Sequence, residues 1–261
     1  MQRRHLIGAM ASASLAACAA RAPQSTRPKT YVLVHGAWHG AWCWSRVADP
    51  LRAMGHRVFT PTQTGLGERR HLLSAAITLD TFVADVTNLL EAEELEDVIL
   101  VGHSFGGITI SGVADQMPGR IRHLVYLDSI LLQPGESLLG SLSPEAAAAR
   151  RKAAADAGYM LAAPAPAYLG VPDGPDAEWV RRRMTPHPAN TWDSPIKLAH
   201  PIGNGRPTTY IACVQPQLAS TEKYAQWARQ QPGWVVLELR TGHDAMVTAP
   251  GELTRMLEAM A

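Results

Sequence analysis

Six short apolar runs, rich in β-branched residues, punctuate the chain: Tyr31 to Val34, Arg57 to Thr60, Val98 to Val101, His123 to Leu127, Thr208 to Cys213 and Trp234 to Leu239. They are continuous rather than alternating, which is the pattern of strands buried on both faces of a parallel sheet. Helical patterns lie between them. In the clearest, after Thr78 and Asp80, residues Phe82, Val86, Leu89 and Leu90 share one face. Alternation of this kind predicts an α/β protein with a doubly wound, mostly parallel sheet. The pattern lapses from Pro134 to Asn204, where ten of the nineteen prolines fall, with an Ala-rich helix expected over Pro144 to Ala157 and another around Trp179 to Met184. A proline-dense stretch cannot supply central strands. Residues 134–204 are therefore read as a mainly helical cap inserted into a core formed by 30–133 and 205–261, within which no internal repeat is visible.

The first thirty residues carry a different signal. Arg3-Arg4-His5 precedes an uncharged run of small and apolar residues from Leu6 to Ala17, too short to span a bilayer as a mature helix. We read 1–17 as a signal peptide and 18–29, rich in Ala, Pro, Ser and Thr, as a flexible tether. Leu15-Ala16-Ala17-Cys18 resembles a bacterial lipobox, with Cys18 as the lipidated residue, and the Arg pair resembles a Tat signal. Plain signal cleavage near Cys18 is the alternative. The expected location is the bacterial envelope, either periplasmic or anchored to a membrane through Cys18. Loss of the two arginines turns 24 basic against 23 acidic side chains into a net charge of −1. Such a balance, with no run of like charges, gives no electrostatic footprint for nucleic acid. Three cysteines cannot form a disulfide framework, although Cys43 and Cys213 could in principle pair after export. No metal site is expected, since His35 and His39 stand four apart in a glycine-flanked loop rather than on a helix.

The chemistry concentrates where the run Val98 to Val101 enters Gly102-His103-Ser104-Phe105-Gly106-Gly107 and a helical stretch, Ile108 to Met117, follows. A GxSxG between a buried strand and a helix predicts a nucleophile elbow that lifts the Ser104 hydroxyl above the sheet. A serine needs a base, and His243 stands in the loop after the last predicted strand. His103 is adjacent to Ser104 and badly placed for that role. The acid is expected at Asp128, at the end of the strand after the elbow helix, because no Asp or Glu occurs between Gly205 and Thr221. Asp244 is a poor substitute, since its side chain diverges from that of its neighbour. The oxyanion would be held by the backbone amides of Ala37 and Phe105. Trp38, Leu132 and Trp192 are the candidate substrate-pocket residues, within a wider apolar set that includes Leu131, Tyr159, Met160 and Trp179. Trp42 and Trp44 are read as packing residues.

With these motifs in place, the chain resembles the α/β-hydrolase superfamily. Leu33-Val34-His35-Gly36-Ala37-Trp38-His39-Gly40-Ala41-Trp42-Cys43-Trp44 is similar to the branch of plant methylesterases and hydroxynitrile lyases, while Thr64-Gly65-Leu66-Gly67-Glu68-Arg69 and Gly242-His243-Asp244-Ala245-Met246 fit bacterial esterases. The acid at Asp128 is placed as in zearalenone lactonase. The resemblance implies an enzyme without a cofactor that cleaves a small, apolar carboxylic ester or lactone through an acyl-enzyme, with Ser104, Asp128 and His243 as its triad. Hydroxynitrile lyases of this branch need a lysine directly after the catalytic histidine, where this chain has Asp244. A non-catalytic ligand-binding protein on the same fold and a non-hydrolytic lyase on the same triad are the competing readings.

Overall fold

The computed structural model describes residues 27–260. The signal segment, Cys18 and all of the tether up to residue 26 lie outside the described residues. Lys29, assigned to the tether, already belongs to the fold: its amide donates to His56 Nδ1 (3.2 Å) and its ammonium to the Met260 carbonyl (2.7 Å).

Six parallel strands form the central sheet: β1 (Thr30–Val34), β2 (Arg57–Phe59), β3 (Val98–His103), β4 (Ile121–Leu127), β7 (Thr208–Cys213) and β8 (Trp234–Leu239), in the spatial order β2-β1-β3-β4-β7-β8. The inner strands β1, β3, β4 and β7 are covered on both faces and need continuous apolar runs, whereas the edge strand β8 leaves Val235 and Leu237 exposed. Tyr31, Leu33, Ile99 and Val101 point into one buried cluster with Val47 and Leu51 of α1 (Ser45–Ala53) and Leu253 and Leu257 of α9 (Pro250–Glu258). Val32, Val34, Val98 and Leu100 point into another, with Val83, Val86 and Leu90 of α2 (Leu79–Ala92), Ile110 and Val113 of α3 (Gly106–Gln116) and Tyr224 of α7 (Ala219–Ala228). The short α8 (Ala245–Thr248) follows the last strand.

Residues 134–204 contribute no strand to the large sheet. They hold α4 (Pro144–Asp156), α5 (Pro175–Arg181) and α6 (Asn190–Asp193), together with a two-residue antiparallel ladder of β5 (Met160–Leu161) and β6 (His187–Pro188). That ladder is too short to leave a periodic signal. The second cap helix begins four residues before the expected Trp179, because Pro175 at its first turn has a preset φ and Asp176 and Glu178 meet the positive end of the helix dipole. Strands β3 and β4 are each two residues longer than the apolar runs suggested: Gly102 and His103 pair with Tyr126 and Leu127, Ile121 pairs with Val98, and the register skips Arg122.

Candidate active site

Where the strand order reverses between β1 and β3, a doubly wound sheet leaves a crevice at the carboxyl ends of its strands. Loops leaving β1, β3, β4 and β8 bring Ala37, Ser104, Asp128 and His243 to that edge. Ser104 has φ 53°, a left-handed conformation that costs a non-glycine residue about 1–3 kcal/mol. Local bonds hold it there: its amide donates to the Leu127 carbonyl (3.1 Å), and its carbonyl accepts from Gly107 (3.0 Å) and Ile130 (3.1 Å). Close approach explains the neighbouring glycine. A Cβ on Gly106 would lie 2.7 Å from the His35 carbonyl oxygen and 2.8 Å from that of Val34, both main-chain atoms. Gly106→Ala is therefore expected to cost about 1–3 kcal/mol, read as a lower midpoint in urea unfolding; an unchanged midpoint would contradict this packing.

Asp128, at φ 42°, is buried with a full set of donors. One carboxylate oxygen accepts from the Cys213 amide (3.3 Å), while the other accepts from Thr221 Oγ1 (3.1 Å) and from His243 Nδ1 (2.6 Å). A carboxylate can only accept, so this bond puts the proton of neutral His243 on Nδ1 and leaves Nε2 with a lone pair. The backbone of His243 is braced as well. His103 Nε2 donates to its carbonyl (3.0 Å), and burial holds the His103 ring well below the usual histidine range, hence neutral. On the cap side, Asp244 N donates to the Leu169 carbonyl (3.0 Å), and a Cβ on Gly242 would lie 2.3 Å from the Gly170 oxygen. Only glycine allows the cap loop and the His243 loop to come this close.

Ser104 and His243 line one cavity of about 440 Å³, whose other walls are mostly apolar. Ala37 and Phe105 line it too, and among the described residues neither backbone N–H has a hydrogen-bond partner. Trp38 and Trp192 form one wall, with ring centroids 5.8 Å apart. Trp38, at φ 65°, is fixed through its indole N–H to the Leu161 carbonyl (3.1 Å). His187 packs against both tryptophans; burial, reinforced by His35, pushes its pKa down to about 3, so it stays neutral as the acceptor for the Trp38 amide (3.4 Å). From the cap come Leu138, Leu142, Arg150, Tyr168 and Leu169.

Several expectations about individual residues change. Leu132 does not line the cavity, although Ile130 and Leu138 on either side of it do; its side chain is taken up by the apolar cluster of Phe82, Phe105 and Ile108. Leu131 is buried on the far cluster, Tyr159 and Met160 face outward, and Trp179 packs on Trp42. Cys43 and Cys213 are free, buried thiols. Asp244 makes no hydrogen bond to the His243 ring; its carboxylate accepts from His39 Nε2 (3.1 Å), a pairing that separation by 205 positions conceals. Thr221, the third residue of α7, also supports Asp128, and a lone threonine within a helix carries no sequence signal for that role. Among the described residues, the donors able to converge on a metal are His103, His243 and Asp244, with ligand atoms within 4.8 Å of one another; two of their ring nitrogens are already engaged, as described.

Fold and site together define a hydrolytic enzyme of the α/β class. Residues 31–255 match the model of the alpha/beta hydrolase family, and the chain belongs to that family. It is an esterase-type member: it is 42% identical over 238 residues to a carbendazim hydrolyzing esterase from Nocardioides sp. (strain SG-4G), covering 88% of this chain and 98% of that one. An alpha-hydroxynitrile lyase from Arabidopsis thaliana is 40% identical over 106 residues, 40% of this chain and 41% of that protein. Among solved structures, an extracellular alpha/beta-hydrolase from a Paenibacillus species superposes with a TM-score of 0.76 at 24% identity, covering 89% of this chain and 99% of that one.

Proposed function

We propose that the protein hydrolyses a small, largely apolar carboxylic ester or lactone through an acyl-enzyme on Ser104. The observation that carries this reading is the 2.6 Å bond from His243 Nδ1 to Asp128, beside a cavity that Ser104 and His243 share with two unbonded backbone amides. In the proposed sequence, Ser104 Oγ attacks the carbonyl carbon as His243 Nε2 takes its proton. The amides of Ala37 and Phe105 hold the oxyanion. Collapse breaks the ester C–O bond while His243 returns the proton to the leaving alkoxide. Water then attacks the acyl-enzyme by the same exchange, with Asp128 holding the imidazole throughout. The relative from Nocardioides, named as an esterase that hydrolyses carbendazim, supports the reaction class. The hydroxynitrile lyase resemblance does not extend to a cation after the histidine: Asp244 stands there, bonded to His39. Export to the bacterial envelope belongs to the same proposal and is supported by residues 1–18 alone.

A fluorophosphonate probe and a panel of p-nitrophenyl esters of graded chain length, with aryl lactones and carbendazim, test this. Stoichiometric labelling at Ser104 and turnover favouring short to medium acyl chains, as a cavity of about 440 Å³ admits, are the expected results. A binding protein without an activated serine would stay unlabelled, and that outcome sinks the proposal.

A further inference from the structure

His39 and Asp244 are each almost wholly buried, and neither takes part in the reaction as proposed above. His39 Nδ1 lies 2.7 Å from the Ala37 carbonyl oxygen, and Nε2 lies 3.1 Å from Asp244 Oδ2. Both partners are acceptors when the carboxyl is ionised. A neutral imidazole has a single N–H, so satisfying both contacts takes a second proton on the Nε2–Oδ2 bond; carried on the ring, it makes an imidazolium facing a carboxylate. We propose that His39 and Asp244 form a buried imidazolium–carboxylate clamp that positions the loop carrying the Ala37 amide against the loop carrying His243. This inference rests on the ester-hydrolase reading of the site.

The geometry explains what the clamp holds. Ala37 lines the cavity, its N–H has no partner among the described residues, its carbonyl is gripped by His39, and the next residue, Trp38, sits in the left-handed region at φ 65°. Such a turn springs back unless tied. Asp244 follows His243 directly, so the second end of the clamp is anchored to the base. Trp42 stacks on the His39 ring at 5.1 Å between centroids, which fixes its plane.

Charge gives the clamp a signature. The titratable groups facing Asp244 are His39, His103, His243 and the thiols of Cys43 and Cys213; those facing His39 are Asp244, His103 and His35, and Asp128 faces His243 from the other side. Burial keeps His103 and His35 neutral and both thiols protonated. Burial works against charge on His39 and on Asp244 too, but their mutual attraction and hydrogen bond prevail, raising the first and lowering the second. His39 thus cancels a carboxylate that would otherwise act on His243 unopposed.

The test uses the full enzyme with His39→Gln, Asp244→Asn and the double variant. His39→Gln should lower kcat about 10–10²-fold with KM changed less than about threefold, because the oxyanion amide is misplaced only slightly. In His39→Gln the acidic limb of kcat/KM should move to higher pH by about one unit, since an uncancelled carboxylate favours protonated His243. Asp244→Asn should lower kcat while leaving the limb in place, and the double variant should bring the limb back. Coincident limbs in all three, with only thermal stability reduced, would overturn the proposal. Histidine-selective ¹⁵N NMR on the unmutated enzyme gives an answer even where a variant fails to fold: at pH 8 both ring nitrogens of His39 should carry protons, and a bare nitrogen refutes the clamp. Failure of the unmutated enzyme to turn over esters or to take up fluorophosphonate would defeat the hydrolase reading instead, and the NMR result would still decide the ion pair.

Discussion

Ser104→Ala is expected to lower ester turnover on the order of 10³-fold or more, equivalent to about 4 kcal/mol of transition-state stabilisation. Fluorophosphonate uptake should vanish with it. The fold should survive, because the bonds holding the elbow are all main-chain: Ser104 N to Leu127, and the Ser104 carbonyl to Gly107 and Ile130. Among the described residues the hydroxyl itself bonds to nothing, so no structural contact is lost with it. Measured kcat/KM on the best p-nitrophenyl ester, with the melting temperature alongside, separates chemistry from stability. Activity within tenfold of the parent enzyme would remove Ser104 as nucleophile.

Asp128→Asn should cost about 10⁴-fold in kcat, the scale seen when a triad carboxylate is made an amide. The reason lies in the tautomer. Asp128 accepts from His243 Nδ1, from Thr221 and from the Cys213 amide. An Asn side chain has one oxygen for those donors and must turn its NH₂ toward one of them. Turned toward His243, it favours the tautomer with the proton on Nε2, which leaves no lone pair to take the serine proton. Thr221→Ala, by contrast, removes one supporting donor and keeps the charge, so its loss should be far smaller. A rate for Asp128→Asn within tenfold of the parent would show that another group orients His243.

Much of the fold was legible because a sheet covered on both faces imposes a simple rule on its strands. Tyr31 and Leu33 serve one layer and Val32 and Val34 the other, so no polar residue can intervene and the run stands out. Strand ends were less clear. Gly102 and His103 pair in the β3 ladder although neither type favours a strand, because the elbow draws the chain on to Ser104 in extended form. In the cap, short elements held by proline and by contact with the core carry little periodicity of their own, so the sequence places the second helix about four residues late and gives no sign of the two-residue ladder.

The order of Ser104, Asp128 and His243 along the chain, each just past an apolar run, predicts that they reach one edge of the sheet, and there Asp128 bonds to His243 and Ser104 shares a cavity with His243, Ala37 and Phe105. Parallel strands finish at one edge whatever lies between them. Pocket walls and charge pairs follow no such rule. Leu132 and Trp192 look alike as apolar residues near the cap, yet one is buried beneath the cavity and the other lines it. His39 and Asp244 lie 205 positions apart, and their pairing depends on how two loops cross above the sheet. Local sequence therefore decides which residues sit at strand ends and which apolar faces must be covered, because those follow from backbone geometry and hydrophobic period. Which side chains meet across loops, and whether a buried histidine is neutral like His103 or charged like His39, only the packed tertiary structure decides, because burial and the nearest partner set the energy of a charge.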